Sequence, residues 1–265
     1  MRGITLVATA LVFAGTAAAK DAKTFLGFRL LDLENQTVKW QSPRFGDGAT
    51  LTYAFATVPV ITKGARNCAR MVPPYKAYRP SHVGKSAFRR EVASAFRMWE
   101  DAANLTFREV SDPATANIVI GAQADPVGRA FTNVELKPAA DGKRKVIARS
   151  LICLNPNERW KVGFDGDLDV YDLRYTIAHE IGHAIGLDHP SASGVLMSYR
   201  YDERHNGLQP GDIKGAALLY GPRPGAGHLT GSRTEDITTG SVRPPAKGTG
   251  QPFGIGDGRE NAPRR

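Results

Sequence analysis

The chain has 265 residues, enough for one enzyme-sized domain with appendages, and its 42% hydrophobic and 23% charged content is that of a globular protein. A formal net charge of +9 and an isoelectric point near 9.7 raise nucleic acid as a partner, but no nucleic-acid-binding motif accompanies the charge and that class is set aside. The basic balance reads as solvated surface, with a weak attraction to anionic envelope surfaces at most.

Met1 to Ala19 carries one early cation, Arg2, an apolar run from Ile4 to Ala14, and the small residues Ala17-Ala18-Ala19 before Lys20. This is the pattern of a secretory signal peptide, residues 1–19, and it places the mature chain in a periplasmic or extracellular compartment. The run is short for a bilayer span and no other candidate span occurs, so stable membrane insertion is not expected. In an oxidising compartment Cys68 and Cys153 read as one disulfide, with two free thiols as the alternative. Residues 20–48 read as a short hairpin or pro-segment, Phe28-Arg29-Leu30-Leu31 and Thr37-Val38-Lys39-Trp40 flanking Glu34-Asn35-Gln36.

The next stretch, Ala49-Thr50-Leu51-Thr52-Tyr53-Ala54-Phe55, alternates and is rich in β-formers, which predicts a strand. Gly64, Pro73, Pro74, Pro80 and Gly84 predict a surface loop over 62–85. Ser86 is a candidate cap for a helix to about Ala103, whose apolar face is Phe88, Val92, Ala95, Phe96 and Trp99. Leu105-Thr106-Phe107, the buried-strand run Ala116 to Gly121, Gly128 to Thr132, and Lys145 to Leu154 supply the remaining strands. Asp165, Asp167, Asp169 and Asp172 then alternate in a way that suggests calcium. Val170 stands where a calcium loop of the EF-hand type needs glycine and the distal glutamate is missing, so the other reading is Asp172 as cap of a helix from about Leu173.

That helix carries the most informative stretch, His179-Glu180-Ile181-Gly182-His183-Ala184-Ile185-Gly186-Leu187-Asp188-His189. Two histidines four apart share one helix face and can grip one metal ion. Gly186 can end the helix in a left-handed conformation and return His189 to the same ion. Three imidazoles plus an open position is the donor set of a catalytic zinc site. Further on, Leu208 to Gly221 predicts a helix punctuated by Asp212 and Gly221. The Gly/Pro-rich basic tail, 222–265, shows no apolar periodicity and reads as disordered.

The motif is the long metzincin form, His-Glu-x-x-His-x-x-Gly-x-x-His, and Val195-Leu196-Met197-Ser198-Tyr199-Arg200-Tyr201 resembles that family's Met-turn. Ala95-Phe96-Arg97-Met98-Trp99 and the closing helix resemble matrixins, whereas Pro190 after the third histidine and Ser198-Tyr199 after the methionine resemble serralysins. Over about residues 49–221 the resemblance implies an α+β zincin catalytic domain: a mixed twisted sheet, an active-site helix, a Met-turn and a C-terminal helix. It implies one catalytic Zn2+ on His179, His183 and His189, with Glu180 as general base and then acid. Met197 would support the cluster from beneath, and Tyr199 would be an extra ligand or an oxyanion stabiliser. Gly128-Arg129-Ala130-Phe131-Thr132 resembles the cleft edge that pairs with extended substrate, and Arg129 stands where vertebrate matrixins place a histidine of a second, structural zinc. Pro43-Arg44-Phe45-Gly46-Asp47 echoes the matrixin latency motif with Phe45 in place of cysteine, which leaves Asp47 as a conceivable zinc cap and a plain turn as the better reading.

The function this implies is a secreted zinc endopeptidase, monomeric, acting on protein or peptide substrates. The alternatives are a catalytically idle zinc protein that binds envelope or host partners on the same scaffold, and a zinc hydrolase of a non-protein amide such as cell-wall peptide.

Overall fold

Alternation in Ala49–Phe55 sets the first full strand and with it the plane of the domain. The structure, a computed structural model, describes residues 27–191 and 193–225 together with the backbone of residues 254–255. The leader and nearly all of the predicted tail therefore lie outside the described residues. In chain order the elements are β1 (Arg29–Leu30), β2 (Asp32–Leu33), β3 (Gln36–Thr37), β4 (Ala49–Phe55), β5 (Val60–Ile61), β6 (Arg70–Val72), α1 (Tyr75–Tyr78), α2 (Lys85–Ala102), β7 (Leu105–Glu109), β8 (Ile118–Gln123), β9 (Ala130–Pro138) and β10 (Lys145–Leu154). They continue with β11 (Trp160–Lys161), β12 (Tyr171–Asp172), α3 (Leu173–Ala184), β13 (Leu187–Asp188), α4 (Pro210–Tyr220) and β14 (Gly254–Ile255).

The fold is α+β. The main sheet runs β14-β9-β10-β8-β4-β7, with β5 and β6 attached beside β8. β7, β4, β8 and β10 are parallel neighbours, and β9 returns antiparallel to β10. Every residue of β8 is buried, as its unbroken apolar run requires of a strand covered on both faces. One face meets the helices: Phe88, Val92, Ala95, Phe96 and Trp99 of α2 are all buried, and Phe96 stacks on Tyr53 of β4 at 4.1 Å. Trp99 Nε1 donates to Ala178 O at 2.9 Å and so ties α2 to α3. The opposite face buries a smaller group, Ala54, Met71, Val119, Phe131 and Leu151, around the Cys68–Cys153 disulfide.

Several boundaries differ from those expected, each for a local reason. Helix α2 starts at Lys85 on an extended Gly84 with no side-chain cap, so Ser86 is inside the first turn and caps nothing. The N-terminal hairpin shrinks to β2 and β3, because Glu34 and Asn35 both take positive φ (50° and 62°) and close a two-residue turn. Its outer residues pair elsewhere, β1 with β13. The stretch 62–85 is not plain loop: β6 joins the sheet antiparallel to β8, and α1 follows it. The strand expected from Ala116 begins at Ile118, since the Asn117 side chain, not a ladder, accepts from Thr52 N at 2.9 Å. Among the described residues no helix is long and apolar enough to cross a membrane.

The disulfide closes a long loop, with a sequence separation of 85 residues. Replacing Cys68 and Cys153 together by alanine should lower stability by up to about 4 kcal/mol through restored loop entropy in the unfolded chain. The check is the midpoint of denaturant unfolding, which should fall while far-ultraviolet circular dichroism of the folded state is unchanged.

Candidate metal and active site

Helix α3 begins where Asp172 Oδ1 accepts from Tyr175 N at 2.8 Å, the N-cap expected from sequence. It ends in a turn at Gly186, whose φ is +104°. A Cβ there would lie 2.4 Å from Val38 O, so only glycine fits both the angle and the space. The reversed chain then brings His189 back. Its Nε2 lies 3.0 Å from Nε2 of His179 and 3.2 Å from Nε2 of His183, which are themselves 3.2 Å apart.

The far side of each helical imidazole is fixed by the backbone. His179 Nδ1 is 2.8 Å from Leu196 O and His183 Nδ1 is 2.9 Å from Leu187 O. A carbonyl can only accept, so both Nδ1 atoms carry hydrogen and both Nε2 lone pairs face the common centre. Burial lowers the pKa of all three imidazoles, that of His183 to about 4, and mutual repulsion adds to this for His179 and His189. Neutral imidazoles converging at this spacing suit one ion with bonds of about 2.0–2.1 Å, and zinc fits that donor set. Among the described residues this is the cluster of metal-ligating groups whose atoms converge.

Glu180 is wholly buried, and its Oε2 accepts from Thr132 Oγ1 on β9 at 2.7 Å. Burial pushes its carboxyl up to about 8, against the Thr132 hydrogen bond and the charge of Arg129. Oε1 is buried without a hydrogen-bond partner among the described residues. Glu180 directly follows His179 on α3, and a buried carboxyl oxygen without a partner is uncommon.

Met197 packs against α3 at Gly182, the residue just before His183. A Cβ on Gly182 would come within 2.2 Å of Met197 Sδ, so this glycine admits the thioether under the helix. The turn carrying Met197 is held by Asp212 at the start of α4, which accepts from Leu196 N at 2.8 Å, Met197 N at 3.1 Å and Gln209 N at 2.8 Å. The sequence marks Asp212 as helix punctuation, and nothing local signals its bonds to the Met-turn amides. Thr132 belongs to the stretch that resembles the cleft edge, but a threonine in a strand carries no sign of the carboxylate it meets. Tyr199 is 48% exposed and stands edge-on to His189, the ring centroids 5.0 Å apart.

Other expected residues have different roles. The Arg129 guanidinium is buried over the ring of Tyr171 at 3.6 Å, a cation–π contact, with the ring of Tyr201 farther off at 5.4 Å. The acidic loop at Asp165 and Asp167 closes round the chain's own ammonium: Lys161 Nζ pairs with Asp165 and Glu203 and donates to Asp167 O at 2.7 Å. Asp47 spends its carboxylate on Arg44 Nε and on Ser42 Oγ at 2.7 Å, so it forms the plain turn and not a zinc cap.

Comparison with known proteins agrees with this geometry. The matrixin family profile of peptidases, M10, matches residues 75–221, more than half of the chain. The chain belongs to the matrixin family. It is 30% identical over 167 residues to the hatching enzyme of Paracentrotus lividus, covering 58% of this chain and 26% of that protein. It is 32% identical over 155 residues to human matrix metalloproteinase-19, covering 54% and 27% respectively. With the Arabidopsis thaliana metalloendoproteinase 1-MMP it shares 32% identity over 158 residues, 56% of this chain and 40% of that protein. The chain thus spans well under half the length of these relatives.

The imidazole shifts fix a pH dependence for the zinc-free protein. Each histidine takes up its proton at lower pH folded than unfolded, so below about 6.5 the unfolded chain binds more protons and gains on the folded one. Glu180, between its ordinary 4.5 and about 8, works in the opposite sense, as do the raised carboxyls of Glu158, Asp172 and Asp212, while the lowered Asp47, Asp141, Asp165, Asp202 and Glu203 side with the three imidazoles. Chelated protein should therefore melt at progressively lower temperature from pH 6.5 towards 4, and saturating zinc at pH 7 should raise the melting temperature. Calorimetry across that range checks both.

Proposed function

We propose that the chain is an exported zinc-dependent endopeptidase. The observation that carries this is the convergence of three imidazole Nε2 atoms within 3.2 Å beside a buried, half-partnered glutamate on the same helix. Zinc, when bound by His179, His183 and His189, supplies a Lewis acid that acidifies water and polarises a peptide carbonyl.

Glu180 takes the proton of the attacking water on its Oε1 and passes it to the leaving amine, base first and acid second. Thr132 keeps the other oxygen occupied and aims the carboxyl. The Tyr199 hydroxyl, at the mouth beside His189, is the group offered to the developing oxyanion. An extended peptide is held by backbone pairing along the outer side of β9, next to Phe131 and Thr132, which β14 takes up. Export rests on the leader at residues 1–19.

The decisive assay compares wild type with Glu180→Ala on casein and on a quenched-peptide library, with zinc content measured on each. Glu180→Ala should keep one zinc and lose at least about a hundredfold in turnover. A wild type that holds one zinc and cleaves no peptide would sink the peptidase reading and favour the idle scaffold. Thr132→Val, which removes only the donor to Glu180, should lower kcat about tenfold with KM unchanged. An unaltered kcat would show that Thr132 does not orient the base.

A further inference from the structure

The sequence offers two readings of residues 20–48, a structural hairpin or a removable pro-segment, and the structure carries the choice further. The C-terminal end of a helix leaves carbonyls without partners. At the end of α3 three consecutive ones are taken by elements remote in sequence. Ala184 O accepts from Trp40 Nε1 at 2.7 Å, Ile185 O from the Tyr220 hydroxyl at 2.6 Å, and Gly186 O from Leu31 N at 2.8 Å. The same Tyr220 oxygen accepts from Trp40 N at 3.2 Å. Ser150 Oγ adds a longer bond to Ala184 O at 3.3 Å, so two of the four donors come from the N-terminal segment and a third, the Tyr220 hydroxyl, is itself held by it.

The segment also meets the chain just before the third imidazole. Arg29 and Leu30 of β1 pair with Asp188 and Leu187 of β13. Leu187 O is the acceptor that orients His183 Nδ1, and Asp188 Oδ1 accepts from His189 N at 2.7 Å while its other oxygen pairs with Arg29 Nε at 3.1 Å. Leu30, Leu31, Val38 and Trp40 are buried, so the contact is a packed one.

We propose that residues 28–40 are a permanent brace of the metal site: they cap the end of the metal-binding helix and hold the turn that delivers His189, and they are not a latency segment to be shed. The proposal rests on the reading of the three histidines as metal ligands. Arg29 and Trp40 are positioning residues, acting on the imidazoles through Asp188 and through the end of α3.

The test uses the full mature chain with a site-specific protease sequence inserted after the exposed Arg44, cut after folding. A brace predicts that the fragment ending at the cut stays bound through gel filtration, with zinc content and peptidase activity unchanged. Release of the fragment with a rise in activity would overturn the proposal. Retention is read with or without metal, so a wild type that fails to bind zinc would count against the metal reading and leave the brace open to judgement by retention alone. A second measurement titrates zinc against a competing chelator. Trp40→Phe, which keeps the ring and removes the donor, and Arg29→Ala should each weaken zinc binding about tenfold while the circular dichroism is retained. His189→Ala serves as the control for loss of a ligand. Wild-type zinc affinity in both brace variants would refute the role assigned to Arg29 and Trp40.

Discussion

Three imidazole nitrogens held about 3 Å apart in a dry interior form an arrangement that the protein alone has reason to avoid. Their lone pairs face one another, and burial disfavours the protons that would separate them. A dication bound among them would relieve that repulsion, and contacts from several parts of the chain hold the three rings in place. The carbonyls of Leu196 and Leu187 fix the tautomers, Met197 fills the space under Gly182, and Asp212 holds the turn on which Met197 and Leu196 sit.

The supports converge from distant parts of the chain. β9 reaches Glu180 through Thr132, α4 reaches the Met-turn through Asp212, α2 reaches α3 through Trp99, and the N-terminal segment reaches the end of α3 through Trp40. One helix supplies two imidazoles and Glu180, while the third imidazole lies beyond its end and depends on neighbours for its position. Ala184 to Asp188, the stretch that leads to it, is held by Trp40, Tyr220, Leu31 and the pairing with β1.

Charge inside the chain ties loops near the site to the body of the domain. Lys161 pairs with Asp165 and Glu203 and donates to Asp167 O, and the guanidinium of Arg129 is buried over the ring of Tyr171.

What the sequence determined by itself was whatever depends on short spacing. His179 and His183 at a helical interval, Gly186 at the helix end, Asp172 as its cap, the alternation of Ala49–Phe55 and the apolar face of α2 all follow from the periods of helix and strand. Tertiary structure alone decided the long-range contacts: the Thr132–Glu180 hydrogen bond, the grip of Asp212 on the Met-turn, the diversion of Lys161 into the acidic loop, and the pairing of β1 with β13. These join residues from 15 to more than 150 positions apart, or turn on which of several nearby charges meets which. A local pattern carries no information about such partners, because they are chosen by the packing of the whole chain and not by the preferences of any one segment.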